Sequence, residues 1–371
     1  MLAPILLAPA ALLAQDGQFV VRIGTDTLAI EQYTRTAGQL RGEQVLRSPR
    51  TVHRIYTATF GAGGATERFE LVTHNISGAP GPAQTTGAAV FRGDSAIVQQ
   101  TRNDSTVTQR VKVGAGVLPY TTQSYGLVEE VTRRARAAQG ARYTTSVLPF
   151  GSTEPWAVAV ERLGRDSMTL TLGPIGPLRL RVDSQGTLLG LTGAGSTMQV
   201  TVERVRGLDL TAVAQAFAAR SLGPLSPSDS VKARVAGATV AVRYSRPAAR
   251  GRVVFGGVVP WNQVWRTGAN EATVLDASAD LVVAGTAVPA GKYSLWTLPS
   301  PAGWTLILNR NTGQWGTDYD AQYDVARLAM RVETLPQSVE RFTIAIEPRG
   351  PGAILALQWA TTRAWVTLAA K

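Results

Sequence analysis

Cysteine is absent from this 371-residue chain. Its absence excludes disulfides, thiolate nucleophiles and cysteine-ligated metals, and with them a lipid-modified cysteine anchor. Histidine is almost absent: His53 and His74 are the only two. Both fall in strand-type segments with no nucleophile motif to pair with, which reads as ordinary strand positions rather than a metal site or a triad. G-x-S-x-G, P-loop and Rossmann fingerprints are missing. Lysine is scarce as well, since only four of the 37 basic residues (Lys112, Lys232, Lys292 and Lys371) are Lys and the rest are Arg. A net charge of +11 points at first to an anionic partner. The arginines, however, are scattered singly, as in "AVRYSRPAARGR", with no basic stripe and no known motif, so nucleic acid is not an expected partner.

Long apolar runs are lacking too. No segment beyond the N-terminus approaches the roughly 18 apolar residues of a membrane-spanning helix, so no span is expected in a mature chain. The N-terminus itself reads "MLAPILLAPAALLAQDGQ". Leu2 to Ala14 is uncharged, apolar, short and closed by small residues, the pattern of an export signal, although no Lys or Arg precedes it. Residues 1–15 are therefore set apart as a signal-like segment. Export places the protein in the periplasm or outside the cell, with a mature start near Gln15 or Asp16.

What is abundant is β-type alternation. "TVHRIYTATF" (51–60), "TERFELVTHN" (66–75), "SAIVQQTRND" (95–104) and "STVTQRVKV" (105–113) alternate, carry β-branched residues and are separated by hairpin-type turns. The same pattern returns in "WAVAVERLG", "SMTLTLGP", "GPLRLRVDS" and "TMQVTVERV". One segment differs: "YGLVEEVTRRARAAQG" (125–140) has helical spacing through Leu127, Val128, Val131 and Ala135. Its acids lie early and its arginines late, and Gly140 follows as a stop. Residues 16–208 thus read as an antiparallel meander, half-barrel-like, curled around one helix or around a ligand. A second helical patch, "DLTAVAQAFAARSLG", capped by Asp209 or Thr211, runs into the Pro/Ser-rich "PLSPSDS". Residues 209–230 are assigned as helix and linker.

Composition changes after the linker. Every Trp except Trp156 lies beyond residue 227. About eight short strands, with no helix-length segment, give residues 231–371 the pattern of an antiparallel β-sandwich. Within it "WNQVWRTGANEAT" (261–273) gathers Trp261, Trp265, Arg266, Asn270 and Glu271. Two readings stand. In one, Arg266 and Glu271 form a charge pair and Asn270 stitches backbone, locking the loop to the sandwich. In the other, these groups and the indoles of Trp261, Trp265, Trp296 and Trp315, with Lys292 nearby, make a site for a sugar ring or a small anion. A glycan hydrolase using Glu271 with Asp318 or Asp276 is the enzymatic alternative, and it needs two carboxyls roughly 5–9.5 Å apart across a cleft. "GTDYDAQYD" (316–324) lacks the central Gly and closing Glu of an EF-hand loop, so it reads as a polar turn. No metal or cofactor is expected.

The stretch from "LSPSDSVKARVAGATVAVRYSRPAARGR" through "VVPWNQVWRTGANEAT" and "VPAGKYSLWTLP" to "GWTLILNRNTGQWG" resembles the bacterial family called domain of unknown function 2911. The decapeptide 264–273 is its most specific part, and the resemblance spans about 225–348. It implies a secreted or periplasmic β-domain and supplies no catalytic residues. The first domain loosely resembles half-barrel meanders of envelope proteins. The expected function is a non-catalytic binding or structural module of the bacterial envelope or exterior, whose partner is a small molecule, a glycan or an envelope component.

Overall fold

The structure, a computed structural model, describes residues 15–77, 85–102, 105–193, 198–235 and 237–371. The signal-like segment lies outside the described residues, apart from Gln15. The chain divides into two compact units, Met1–Gly223 and Pro224–Lys371.

The N-terminal unit begins with a meander of β1 (Gln15–Ile23), β2 (Asp26–Arg35), β3 (Gln39–Leu46), β4 (Val52–Phe60) and β5 (Thr66–Asn75). It continues through β6 (Thr85–Arg92), β7 (Ser95–Arg102), β8 (Ser105–Lys112) and the short β9 (Leu118–Tyr120) into helix α1 (Tyr125–Ala137). After the helix come β10 (Arg142–Pro149), β11 (Trp156–Arg162), β12 (Ser167–Leu172), β13 (Ile175–Val182), β14 (Leu188–Thr192) and β15 (Val200–Val205), then helix α2 (Leu210–Ala218). All fifteen strands form one sheet in the order β8-β7-β6-β5-β4-β3-β2-β1-β15-β14-β13-β12-β11-β10-β9. The pairings are antiparallel except β9 with β10. Two sequential meanders therefore meet at a single long-range seam, β1 with β15.

Helix α1 buries Leu127, Val128, Val131 and Ala135, the positions that its spacing marks as apolar. Glu129 and Glu130 sit one turn too late to serve the helix dipole, and both are buried. Glu129 accepts bonds from the Tyr33 hydroxyl (2.5 Å), the Leu188 N–H (2.9 Å), Arg133 Nε (3.1 Å) and Arg204 Nη2. Glu130 pairs with Arg35 and Arg134, each at 2.8 Å. These acids are anchors between helix and sheet. The helix start is capped from outside: Oε2 of the wholly buried Glu31 on β2 accepts from the N–H groups of Tyr125 (2.5 Å) and Gly126 (3.2 Å). The Tyr56 hydroxyl bonds the other oxygen of Glu31. Both tyrosines reach the helix because each ring lies over a cross-strand glycine, Tyr33 over Gly17 and Tyr56 over Gly42, where a Cβ would collide with the ring.

Strand β2 is buried on both faces. Ala29, Glu31 and Tyr33 alternate with Leu28 and Ile30. Ile30, with Val20 and Val45, is covered by Leu210 of α2. That helix is capped by Asp209, whose carboxylate accepts the Ala212 N–H at 3.0 Å. The segment after it is held by Arg47 and Ser48, which donate to the carbonyls of Arg220 and Gly223. Helix α2 and the residues up to Gly223 thus sit within the first unit.

The C-terminal unit contains β16 (Ser228–Val235), β17 (Ala238–Ser245), β18 (Thr273–Ala277), β19 (Leu281–Val283), β20 (Thr286–Val288), β21 (Gly291–Leu298), β22 (Trp304–Asn309), β23 (Asp324–Arg349) and β24 (Gly352–Ala370). They form a nine-stranded sheet in the order β16-β17-β18-β21-β22-β23-β24-β19-β20. Residues from every one of these strands share one apolar core with Trp265, Trp304 and Trp359. One face of one sheet lines that core, so the sheet is folded over on itself. The fold runs through β23 and β24, which are single long strands where the sequence pattern breaks each into two. Their pairing shifts register between Thr334 and Val339 and again before Thr343, across an exposed polar stretch that carries Pro336. The layers are closed by backbone bonds from Phe342 N to Pro247 O (2.9 Å) and Ala249 N to Glu340 O (2.8 Å), and by Ile344 N donating to the Tyr244 hydroxyl (3.0 Å).

Burial raises the Glu31 carboxyl to about 8, against the opposing pull of its donors Tyr56, Tyr125 and Gly126. The folded protein therefore holds this proton more tightly than the unfolded chain, whose ordinary value is 4.5. Stability from this site is greatest at low pH and is lost as pH rises from about 4.5 through about 8. The loss is on the order of a few kcal/mol. Denaturant midpoints measured between pH 5 and 9 are expected to fall with pH in the native chain and to flatten in Glu31→Gln. The same slope in both proteins would rule this group out as its source.

Candidate functional site

The loop that gathers the conspicuous residues of the sequence is tied down at almost every position. Trp265 exchanges backbone hydrogen bonds with Thr297 of β21, at 2.7 and 2.9 Å, which places its indole in the main core. There it stacks on Trp359 (5.9 Å, 22° between planes) and meets Phe342 edge-on (5.0 Å). Its ring nitrogen donates to Gly268 O at 3.1 Å. Thr267, Gly268 and Asn270 all adopt positive φ, so the chain doubles back tightly before β18. The turn is stitched by Thr273 Oγ1 to Thr267 O (2.7 Å) and by Asn270 Nδ2 to Ser245 Oγ (3.4 Å).

Arg266 does not pair with Glu271. Its Nη1 donates to the Asn270 carbonyl at 3.2 Å, and burial lowers its guanidinium below the ordinary range. Glu271 is exposed, its backbone bridged to Trp315, and among the described residues it takes part in no ion pair. The physical reason is the left-handed backbone at Asn270, which turns a carbonyl toward Arg266 and leaves the next side chain facing water. Gly316 completes the buckle. Its N–H donates to the same Asn270 carbonyl (3.0 Å), and a Cβ there would overlap Arg266 Cδ and sit 2.5 Å from Asn270 O. The glycine of "QWG" is a close-approach position.

The other candidates are dispersed. Trp296 is 1% exposed and donates to Ser294 Oγ at 2.8 Å. It belongs to a separate small cluster with Ala272 and Ile307, against which Tyr319 packs. Trp265 and Trp296 are thus core residues with satisfied ring nitrogens and offer no ligand platform. Trp261 (37% exposed) and Trp315 (50% exposed) remain at the surface. Lys292 is exposed and lies 3.8 Å from Asp276. In the polar turn, Asp320 caps a short 3-10 turn. The Asp324 carboxylate accepts from Asn309, Tyr319 and Arg327 at 2.7–2.9 Å.

Open volume instead lies in the N-terminal unit. A groove of about 650 Å³ is lined by Tyr33, Thr187, Leu189, Arg204, Gln32, Arg41 and Glu43, together with Asp16, Asp183 and Arg206. Arg204 is held in place by Glu129, by the Tyr33 hydroxyl (2.7 Å) and by the Leu188 carbonyl (2.7 Å), with Phe19 beneath it at 4.9 Å. The acids of the groove have partners: Glu43 binds His53 (2.7 Å), Asp183 accepts the N–H groups of Gln185 and Thr187 (2.8 Å each), and Asp16 accepts from Thr34 (2.8 Å). Arg206 is exposed and has no partner among the described residues. Pattern reading misses this constellation because its members come from strands at both ends of the unit. The available signal is a Glu and a Tyr at inward positions of the alternating segment "DTLAIEQYTR", where an apolar residue is the rule.

Crowding at Gly316 and solvent exposure at Glu271 predict opposite effects for two neighbouring changes. Gly316→Ala should destabilise the protein by about 1–3 kcal/mol through overpacking, and Glu271→Ala should stay within about 0.5 kcal/mol of the native value. Chemical denaturation of both variants checks this; a large loss in Glu271→Ala would restore the charge pair.

Among curated proteins none matches this chain. Similar solved structures include a Pseudomonas aeruginosa protein of the DUF1089 family, 16% identical, covering 44% of this chain and 89% of that one with a TM-score of 0.34. Another is a β-barrel-like protein of domain of unknown function DUF1849 from Brucella abortus, 12% identical, covering 52% of this chain and 95% of that one with a TM-score of 0.35. The family match falls on the folded-over C-terminal sheet and reaches into β24, further than the quoted motifs do: residues 226–368 are similar to the family described as "Protein of unknown function (DUF2911)".

Proposed function

We propose that this is an exported, non-catalytic binding module of the bacterial envelope or exterior, and that its ligand, a small polar molecule such as a short glycan, occupies the groove of the N-terminal half-barrel. One observation carries the reading. The 650 Å³ groove presents a guanidinium, Arg204, fixed by a buried carboxylate, alongside the unpaired cation of Arg206, while its acids are already hydrogen-bonded. A rigid polar wall with free donors suits recognition of hydroxyl-rich or anionic groups. The C-terminal loop supports a structural role, since Trp265, Trp296, Arg266 and Asn270 are engaged with the protein itself. Export rests on the apolar N-terminal run that ends in small residues.

The test is a thermal-shift screen of the mature chain, purified from a secreting host, against short oligosaccharides. A ligand that raises the melting temperature is expected to lose its effect in Arg206→Glu and to keep it in Trp261→Ala and Trp315→Ala. N-terminal sequencing of the same material should begin near residue 15 or 16. A shift lost only in the tryptophan variants moves the site to the C-terminal unit. No shift across the panel, or an intact Met1 on cytosolic protein, overturns the proposal.

A further inference from the structure

A second cavity, of about 240 Å³, opens on the concave side of the half-barrel and shares no lining residue with the groove. Arg54 of β4 projects into it, from the same face of the strand as the buried Tyr56. The guanidinium is held from one side only. Nη1 donates to Thr121 Oγ1 (3.1 Å) and to the carbonyl and hydroxyl of Thr122 (3.2 Å each), and Nε reaches Thr73 Oγ1 at 3.4 Å. Nη2 has no partner among the described residues, and no carboxylate there forms an ion pair with Arg54. All its partners are neutral hydroxyls and a carbonyl. Burial pushes the guanidinium down to about 10, so it still carries its charge at neutral pH.

A cation withdrawn from water without a counter-charge is costly to fold around. The protein nonetheless fixes this one with four hydrogen bonds and leaves one edge of its donor fork open. Flat and apolar groups line the same cavity. Tyr120 and Trp156 lie 6.1 Å apart and tilted by 44°, with Phe150, Leu71 and Pro149 beside them. Phe150 is seated over Gly87, where a Cβ would strike its ring, so this wall is built to keep its shape. Only Thr85 and Gln100 add neutral polar groups from the far strands. The cavity thus brings one fixed, uncompensated charge together with aromatic rings.

We propose that this cavity binds a small organic carboxylate, with the Arg54 guanidinium taking the carboxylate and the Tyr120, Phe150 and Trp156 rings enclosing its apolar body. A planar carboxylate matches the open edge of the fork, and the anion supplies the missing counter-charge. The inference is independent of the groove and of its ligand.

Isothermal titration of the intact chain with benzoate tests it, with benzyl alcohol as the neutral molecule of similar shape and inorganic phosphate as the anion without an apolar body. Saturable benzoate binding is expected, about ten-fold or more tighter than benzyl alcohol or phosphate, as one charge-assisted contact requires. Arg54→Met should weaken benzoate by a similar factor while the melting temperature holds or rises, because an unbalanced buried charge is gone. A purely structural arginine would lower the melting temperature instead. Gln100→Trp, which fills the cavity from its rim and leaves Arg54 in place, should abolish binding and keeps the test decisive if the methionine variant does not fold. Absence of saturable benzoate binding, equal binding of benzyl alcohol or phosphate, or unchanged benzoate affinity in the variants overturns the assignment.

Discussion

Everything in the N-terminal unit depends on carboxyl groups that have left water. A meander of fifteen strands has one concave face to cover, and helix α1 covers much of it. Apolar contacts alone are non-directional and would let a short helix slide or rotate in such a trough. Glu31, Glu129 and Glu130 remove that freedom. Each is buried, and each has a specific set of donors on another element. A displaced helix would strand them, and a buried polar group or charge left without partners is costly. Arg204 inherits its position from the same network, so the wall of the groove is as fixed as the helix.

The two units solve the problem of an exposed sheet face differently. The first fills its concavity with a helix and covers part of its outer face with a second one. The next folds a single sheet over until both halves share one core, and seals the join with backbone bonds around Pro247 and Glu340. Three of its tryptophans serve that closure. Trp265, Trp304 and Trp359 surround Phe255, whose ring lies 4.6 Å from that of Trp304. Part of the tryptophan enrichment after residue 227 therefore reports how this core is filled.

Sequence reasoning reads well where the physics is local. Period-two alternation gives the strands, the apolar spacing from Leu127 to Ala135 gives α1, Asp209 gives the start of α2, and the decapeptide lies in the stretch that is similar to a family. It fails where partners are distant or where backbone handedness decides. The capping of α1 by Glu31 joins residues more than ninety apart in sequence. Arg266 and Glu271 look complementary five residues apart, yet a positive φ at Asn270 turns them away from each other. The long hairpin of β23 and β24 looks broken at "TLPQSVE" because an exposed, bulged ribbon has no apolar face to alternate. The two cavities are invisible for the first reason: their walls come from segments that only the closed sheet brings together.

The seam between β1 and β15 also shapes how the unit is made. Every other strand pairing in this sheet joins neighbours in sequence, so hairpins form early and cheaply in loop entropy. The seam instead waits for Val200–Val205, the last strand of the unit to leave the ribosome. Until then β1 is a bare edge carrying Phe19, Val21 and Ile23, able to pair with any passing strand. An unfinished chain is therefore most vulnerable to aggregation along its first strand, and a factor that shields nascent polypeptides during synthesis would act there to greatest effect.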